Sequence, residues 1–189
     1  MTWLSHIDIK GCREIYNLET FVETGSYEGA GIGYAKACGY NDIYSCDIGE
    51  NYVIQCREKF PTARICHSDS LAFLTDLLPT LDTKCLFWLD AHFPGLYGTD
   101  NDLELHRLPL IDEIKLIKEL KPSYIHDVII CDDMRNFKSP DNPRYRQGEL
   151  DPQFELEVDW YGFIALLSDT HNHYLMQEHD GDMIFTPKQ

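Results

Sequence analysis

The sequence predicts an α/β fold: a Rossmann-like three-layer sandwich with a mostly parallel seven-stranded sheet and a C-terminal antiparallel hairpin. Three observations lead to this prediction. Short apolar runs alternate with helical patterns, most of the runs are continuous, and the chain closes with two strand-like stretches around "HDGD". Alternating strands and helices favour parallel strands with crossover helices on both faces of the sheet.

Five apolar runs are expected to form the parallel strands, because continuous apolar runs are typical of strands that are buried on both faces. They are 20–25, 42–48, 63–69, 85–91 and 127–133. The stretch 173–188 contains a turn signal between two further strand-like runs, which predicts a tight antiparallel hairpin.

Helical patterns lie between these runs, at 29–39, 51–61, 70–81, 109–122 and 159–169. In the fourth pattern, Ile111, Ile114 and Ile117 share one face, and the acids and lysines are expected on the other. Pro109 near its start and Pro122 beyond its end fit the usual positions of proline at helix ends.

Composition limits the classes of function. The 189 residues suit a single domain spanning 1–189, and the net charge of −16 disfavours nucleic acid and anionic membranes as partners. Seven cysteines without a CxxC pair are typical of a reducing compartment. With no signal-peptide pattern and no long apolar run, we expect a cytoplasmic protein.

A glycine-rich stretch follows the first predicted strand. "FVETGSYEGAG" places Glu23 at the end of the strand and Gly25, Gly29 and Gly31 directly after it. Glycines at this position let a ligand approach the backbone closely, and the next helix begins with free N–H groups. The carboxylate would repel a phosphate, which favours a cationic or hydroxyl-rich ligand; the alternative is a tight turn with a solvated glutamate.

Acids also end the second and third predicted strands. Asp47 follows Gly25 by 22 residues, a distance at which an acid accepts hydrogen bonds from ribose hydroxyls. Asp69 would reach an exocyclic amine or would cap the following helix together with Ser68 or Ser70.

With these residues the chain resembles the class I S-adenosylmethionine-dependent methyltransferases, from about residue 20 to the terminal hairpin. "VETGSYEG" is similar to the first motif of that family. The resemblance implies S-adenosylmethionine as cofactor, with Asp47 at the ribose and Asp69 at the adenine amine. The other residues that we expect at the cofactor are Glu23, Gly25, Ser26, Gly29, Ile48, Ser70 and Asp90.

The fourth and fifth strands end in "FWLDAHFPG" and "IICDDMRNF". Asp90, His92, Asp132 and Asp133 are therefore expected at one edge of the sheet, where carboxylates and an imidazole bind a divalent cation or transfer protons. The alternative is that these acids cap helices and stay hydrated.

This pattern resembles the metal-dependent small-molecule O-methyltransferases. The resemblance implies Asp90, Asp132 and Asp133 as ligands of Mg²⁺ or another divalent cation. Where that group has Asp-Ala-Asp-Lys, this sequence has His92 and Phe93 in the last two places. The usual candidate base, a lysine, is thus absent, and His92 takes its place as candidate base or as a metal ligand.

We expect catalysis by Asp90, His92 and Asp132, with methyl transfer to a hydroxyl of a sugar or a secondary metabolite. Two alternatives stay open: a metal-dependent hydrolase that uses Asp90, His92, Asp132 and Asp133, and an inactive nucleoside-binding protein. The long segments 93–107 and 134–158, or a partner subunit of a homodimer, would form the acceptor pocket. Aromatic residues there close over the substrate or pack locally: Phe93, Tyr97, Phe137, Tyr145 and Trp160.

Overall fold

The computed structural model describes residues 3–92, 108–143, 145, 156–176 and 181–188. Its centre is a seven-stranded sheet, and five of the strands are parallel. In order along the sheet, the strands are β3 (Arg64–His67), β2 (Asp42–Asp47), β1 (Thr20–Thr24), β4 (Cys85–Leu89), β5 (Val128–Cys131), β9 (Met183–Pro187) and β8 (His171–Leu175). The predicted fold class is confirmed.

Helices cover both faces of the sheet. One face packs against α4 (Ser70–Leu77), α5 (Leu110–Leu120) and α6 (Trp160–Ala165), and the other against α1 (Ile9–Tyr16), α2 (Ala30–Ala37) and α3 (Glu50–Lys59). Alternate residues of a strand enter opposite layers: Phe87 belongs to the first core cluster, and Leu86 and Trp88 belong to the second. This explains why the central strands are apolar at every position.

Helix α1 was missed by the sequence analysis, which assigned nothing before β1. Asp8 caps this helix by accepting the N–H of Gly11 at 2.8 Å, and Asn17 ends it in the left-handed conformation. Both are standard boundary signals, so the helix was recognisable. It follows the short 3₁₀ helix Trp3–His6, which packs against α2.

The C-terminal hairpin is antiparallel, as predicted, but its turn is not tight. Pairing ends at Leu175 and Met183, so residues 176–182 connect the strands. Gly181 has φ +83 and is followed by Asp182, whose carbonyl accepts the N–H of Met176 at 2.8 Å. A small parallel pair, β6 (Phe137–Lys138) and β7 (Leu156–Glu157), lies outside the main sheet.

All seven cysteines are free thiols. Within the part of the chain that the structure describes, none of the helices is long and apolar enough to cross a membrane.

Candidate functional site

The carboxyl ends of β1, β2, β3, β4 and β5 meet at one edge of the sheet, because these strands are parallel and in register. In open α/β sheets, ligands bind at this edge. The candidate site consists of the loops that leave the five strands there.

The loop from Thr24 to Gly29, which we call the glycine turn, packs closely against the end of β4. Gly25 has φ +83, and a Cβ atom on it would lie 2.4 Å from the carbonyl oxygen of Asp90. The backbone N–H groups of Gly25 and Ser26 both donate to the carbonyl of Cys46 on β2. Both the conformation and the close approach require glycine at this position.

The carboxylate of Glu23 lies beneath the start of α2. The residue is 2% exposed and accepts the hydroxyl of Ser45 at 2.7 Å. A Cβ on Gly31 would lie 1.9 Å from Glu23 Oε1, so the third glycine makes room for this carboxylate. Burial raises the pKa of Glu23 well above its usual value, although the hydrogen bond from Ser45 opposes this. The alternative in which Glu23 is exposed to solvent is therefore wrong. Contact between Glu23 and a cofactor stays a prediction.

Asp47 connects the glycine turn to the start of α3. Its two carboxylate oxygens accept the N–H groups of Tyr27 and Gly49, each at 2.7 Å. Burial raises the pKa of Asp47, and these two hydrogen bonds act in the opposite direction. Each carboxylate oxygen has a second lone pair that can accept a ligand hydroxyl.

Asp69 is the N-cap of α4 and accepts the N–H of Ala72 at 2.9 Å, so the capping alternative describes one of its roles. Its side chain is exposed at the same edge of the sheet, and contact with adenine stays a prediction. Ile48 is half-buried, and Ser70 is buried.

The structure brings Asp90, His92, Asp132 and Asp133 together, and we call these four residues the acidic cluster. His92 Nε2 lies 3.2 Å from Asp90 Oδ1 and 3.3 Å from Asp133 Oδ2. Asp133 follows β5 in the left-handed conformation, with φ +57, and its N–H donates to Asp132 Oδ1 at 2.6 Å. Non-glycine residues seldom adopt this conformation, and such strain is concentrated at functional sites.

The carboxyl groups of the cluster perturb one another. Burial, followed by the charges of Asp90 and Asp133, raises the pKa of Asp132 well above its usual value. Burial also raises the pKa of Asp133, but the hydrogen bond and charge of His92 outweigh this and lower it. Burial disfavours the protonated form of His92. The two neighbouring carboxylates nevertheless raise the pKa of its imidazole well above the usual value.

One oxygen each from Asp90 and Asp132 and one nitrogen from His92 lie within 4.8 Å of one another, which fits three ligands of a single cation. Two carboxylates with one imidazole suit a divalent metal such as Mn²⁺. The predicted third ligand, Asp133, contacts His92 and also lies 3.6 Å from Arg135 Nε. Its role as a ligand stays a prediction.

Three residues near the site were missed by the sequence analysis. Glu113 was expected on the exposed face of α5, but it is 1% exposed, and burial raises its pKa to about 7. Glu113 lies three positions after Leu110 and four before Ile117, and this helical spacing indicates that it shares their buried face. His6 and Asp182 form a contact of 2.7 Å that joins the two ends of the described chain, and no local pattern indicates it.

Among the aromatic residues, Phe137 and Trp160 belong to the core beside Phe163, so local packing is confirmed for these two. Phe93 and Tyr97 lie outside the described residues, as does the whole segment 93–107.

No family model matches the sequence, and no curated protein matches it. Solved structures do match it. A methyltransferase of Podospora anserina bound to SAH is 15% identical, with a TM-score of 0.63; the match covers all of this chain and 80% of that one. An O-methyltransferase of Bacillus cereus in complex with SAH is 10% identical, with a TM-score of 0.60 over all of this chain and 82% of that one.

A methyltransferase of Geobacter sulfurreducens is 9% identical, with a TM-score of 0.58 over 96% of this chain and 76% of that one. At these identities the similarity concerns the fold. The chain has the Rossmann-like fold of these methyltransferases, and the resemblance predicted from the sequence is confirmed at that level.

Proposed function

We propose that the protein transfers a methyl group from S-adenosylmethionine to a hydroxyl group of a small molecule. The observation that supports this proposal is the order of groups along one edge of the sheet. The glycine turn follows β1, Asp47 follows β2, and the acidic cluster follows β4 and β5. This order occurs on a fold that the chain shares with methyltransferases bound to SAH.

Three parts of the edge would bind the cofactor. The glycine turn gives the methionine part access to the backbone, and its position is fixed by the bonds to Cys46. The carboxylate of Asp47 would accept the ribose hydroxyls with its remaining lone pairs. Asp69 at the start of α4 would accept a hydrogen bond from the adenine amine. The many acids of the site suit a sulfonium ligand, which is cationic and carries an ammonium group.

When bound, the cofactor supplies an electrophilic methyl group for in-line displacement by the acceptor oxygen. The residues of the protein would align that oxygen and remove its proton. In the acidic cluster, Asp90 is the proton acceptor that we favour, because its side chain is 33% exposed whereas that of His92 is 4% exposed. In the absence of a cation, protonated His92 would pair with Asp90 and Asp133, whose carboxylate oxygens lie 3.2 and 3.3 Å from its Nε2.

We include a divalent cation in the proposal. Asp90, His92 and Asp132 would hold it, and a cation there would offset the crowded carboxylates and lower the pKa of the acceptor hydroxyl. The acceptor is a sugar or a secondary metabolite in our proposal, and nucleic acid is disfavoured by the net charge of −16.

Isothermal titration with S-adenosylmethionine and with S-adenosylhomocysteine tests the proposal. We expect micromolar binding of both, loss of binding in Asp47→Ala, and unchanged binding in Asp76→Ala, whose aspartate is exposed on α4 away from the edge. A second assay measures S-adenosylhomocysteine release with catechol and sugar acceptors, with and without Mn²⁺. Absence of binding to either nucleoside would overturn the proposal and would turn attention to hydrolase assays.

A further inference from the structure

The helix α3 packs against the second half of the glycine turn. The thiol of Cys56 donates to the carbonyl of Tyr27, with Sγ 3.3 Å from the oxygen. Lys59 Nζ donates to the carbonyl of Glu28, also at 3.3 Å. A Cβ atom on Gly29 would lie 2.9 Å from Cys56 Sγ, so the turn and the helix are in close contact. Since residues three apart on a helix share a face, one face of α3 holds this part of the turn.

Tyr27 has a backbone conformation that needs such support. Its φ of +41 lies in the left-handed region, which non-glycine residues seldom adopt and which persists only where surrounding contacts fix it. The N–H of Tyr27 donates to Asp47 Oδ2 at 2.7 Å, and its carbonyl accepts the thiol of Cys56. The ring lies against that of Tyr52, with the centroids 4.7 Å apart. Three contacts therefore keep Tyr27 in this conformation.

The thiol of Cys56 is suited to act as the donor. Cys56 is fully buried, and burial raises the pKa of its thiol. The thiol thus keeps its hydrogen at neutral pH. The carbonyl of Tyr27 can only accept, so the hydrogen bond runs from sulfur to oxygen. Alanine at this position would remove the donor while keeping a residue that favours the helix.

We propose that Cys56 is a positioning residue, which holds Tyr27 so that the N–H of Tyr27 stays on the carboxylate of Asp47. The other oxygen of that carboxylate accepts the N–H of Gly49 at 2.7 Å. With both oxygens anchored, the carboxylate has one orientation, and its remaining lone pairs have fixed directions. The consequence for a cofactor rests on the proposed function, whereas the orientation of Asp47 does not.

Nuclear magnetic resonance of the backbone amides tests this role without any ligand. The amide proton of Tyr27 should lie far downfield in the wild type, because it donates to a carboxylate at 2.7 Å. We expect Cys56→Ala to move this signal upfield, toward the position of an ordinary amide. In Cys56→Ser a hydroxyl donates to the same carbonyl, so this variant should keep most of the downfield shift.

Val53→Ala is the matched control. Val53 is buried on α3, three positions before Cys56, and belongs to the same core cluster. Its truncation removes buried apolar atoms from the same helix and leaves the donor to Tyr27 in place. An unchanged Tyr27 signal in Cys56→Ala would overturn the inference, as would equal shifts of that signal in Val53→Ala and Cys56→Ala.

Calorimetric titration with S-adenosylhomocysteine measures the consequence for the site. We expect Cys56→Ala to bind about 5-fold more weakly than the wild type, since one hydrogen bond behind the turn is lost. Cys56→Ser and Val53→Ala should stay close to the wild type, and equal losses of affinity in Cys56→Ala and Val53→Ala would overturn the inference. If the wild type binds no S-adenosylhomocysteine, the proposed function fails, and the Tyr27 amide signals still decide the role of Cys56.

Discussion

The two halves of the candidate site satisfy their carboxylates in different ways. At the ends of β1, β2 and β3, the acids accept hydrogen bonds from the protein: Glu23 from Ser45, Asp47 from two backbone N–H groups, and Asp69 from a third. We call this the nucleoside half, after the ligand that we propose for it. At the ends of β4 and β5, the acidic cluster forms the other half, where carboxyl groups face one another around His92.

This difference indicates which kind of ligand each half can bind. In the nucleoside half, backbone N–H groups hold Asp47 and Asp69, and the Ser45 hydroxyl holds Glu23. These acids keep lone pairs available for hydroxyl or amine donors. The acidic cluster gathers like charges in a buried place, which is favourable only when protons or a cation offset them. The first half is therefore a rigid hydrogen-bonding surface, and the second is a place for a positive charge.

The largest effect is expected from Gly25→Val in the nucleoside half. A side chain there collides with the carbonyl of Asp90 and is strained at φ +83, so the glycine turn must move away from β4. We expect binding of S-adenosylhomocysteine to fall below detection in a calorimetric titration.

Gly39→Val is the control for this variant. Gly39 has φ +91, but a Cβ on it would meet only the Arg13 side chain, at 3.6 Å, away from the edge. Gly39→Val therefore introduces the same kind of backbone strain as Gly25→Val, but without the collision. This variant should keep the wild-type affinity for S-adenosylhomocysteine. Equal loss of binding in both variants would mean that general destabilisation, and not the geometry of the turn, is responsible.

Glu113 lies under the junction of the two halves, and its titration should appear in the stability of the fold. Burial raises the pKa of Glu113 to about 7, opposed by hydrogen bonds from Ser70 and Thr24. The folded state thus binds this proton more tightly than the unfolded state, and stability is lost as pH rises from about 4.5 to about 7. The full difference corresponds to about 3 kcal/mol.

Glu113→Gln removes this dependence. Denaturant unfolding of the wild type and the variant at pH 5 and pH 8 measures it, and we expect the variant to gain stability relative to the wild type between the two pH values. A constant difference between the two proteins would show that the carboxyl group does not titrate in this range.

A smaller effect is expected from a substitution that tests the close contact between Glu23 and α2. Gly31→Ala pushes a Cβ into Glu23 Oε1, so we expect destabilisation of about 1–3 kcal/mol. In Glu23→Ala the collision disappears, and the second substitution should cost less in that background. A double-mutant cycle of unfolding free energies should give a coupling of about 1–2 kcal/mol. Additive costs would mean that the two groups do not touch.

The sequence was a good guide where a short stretch of chain determines the geometry. The glycine turn and Asp47 follow from one strand and its next turn, and Asp90 and His92 are two residues apart on the same loop. Parallel strands then bring their ends to one edge whatever the details of packing. These are the features for which local pattern and topology agree.

The remaining features depend on contacts between distant segments. His6 and Asp182 are separated by 176 positions, and their contact arises because the folded chain brings the Trp3–His6 segment next to the residue before β9. Glu113 is buried on α5, where the hydroxyls of Thr24 on β1 and Ser70 on α4 act on its pKa. Neither residue type indicates burial by itself, because Glu and Asp are usually exposed.

In our proposal, one edge of the sheet has two separable binding functions. The most direct test measures the affinities of S-adenosylhomocysteine and Mn²⁺ for the wild type, Asp47→Ala and Asp132→Ala. We expect Asp47→Ala to lose the nucleoside and keep Mn²⁺, and Asp132→Ala to lose Mn²⁺ and keep the nucleoside. If each substitution abolished both affinities, or if neither substitution changed either affinity, the division of the site into two halves would be contradicted.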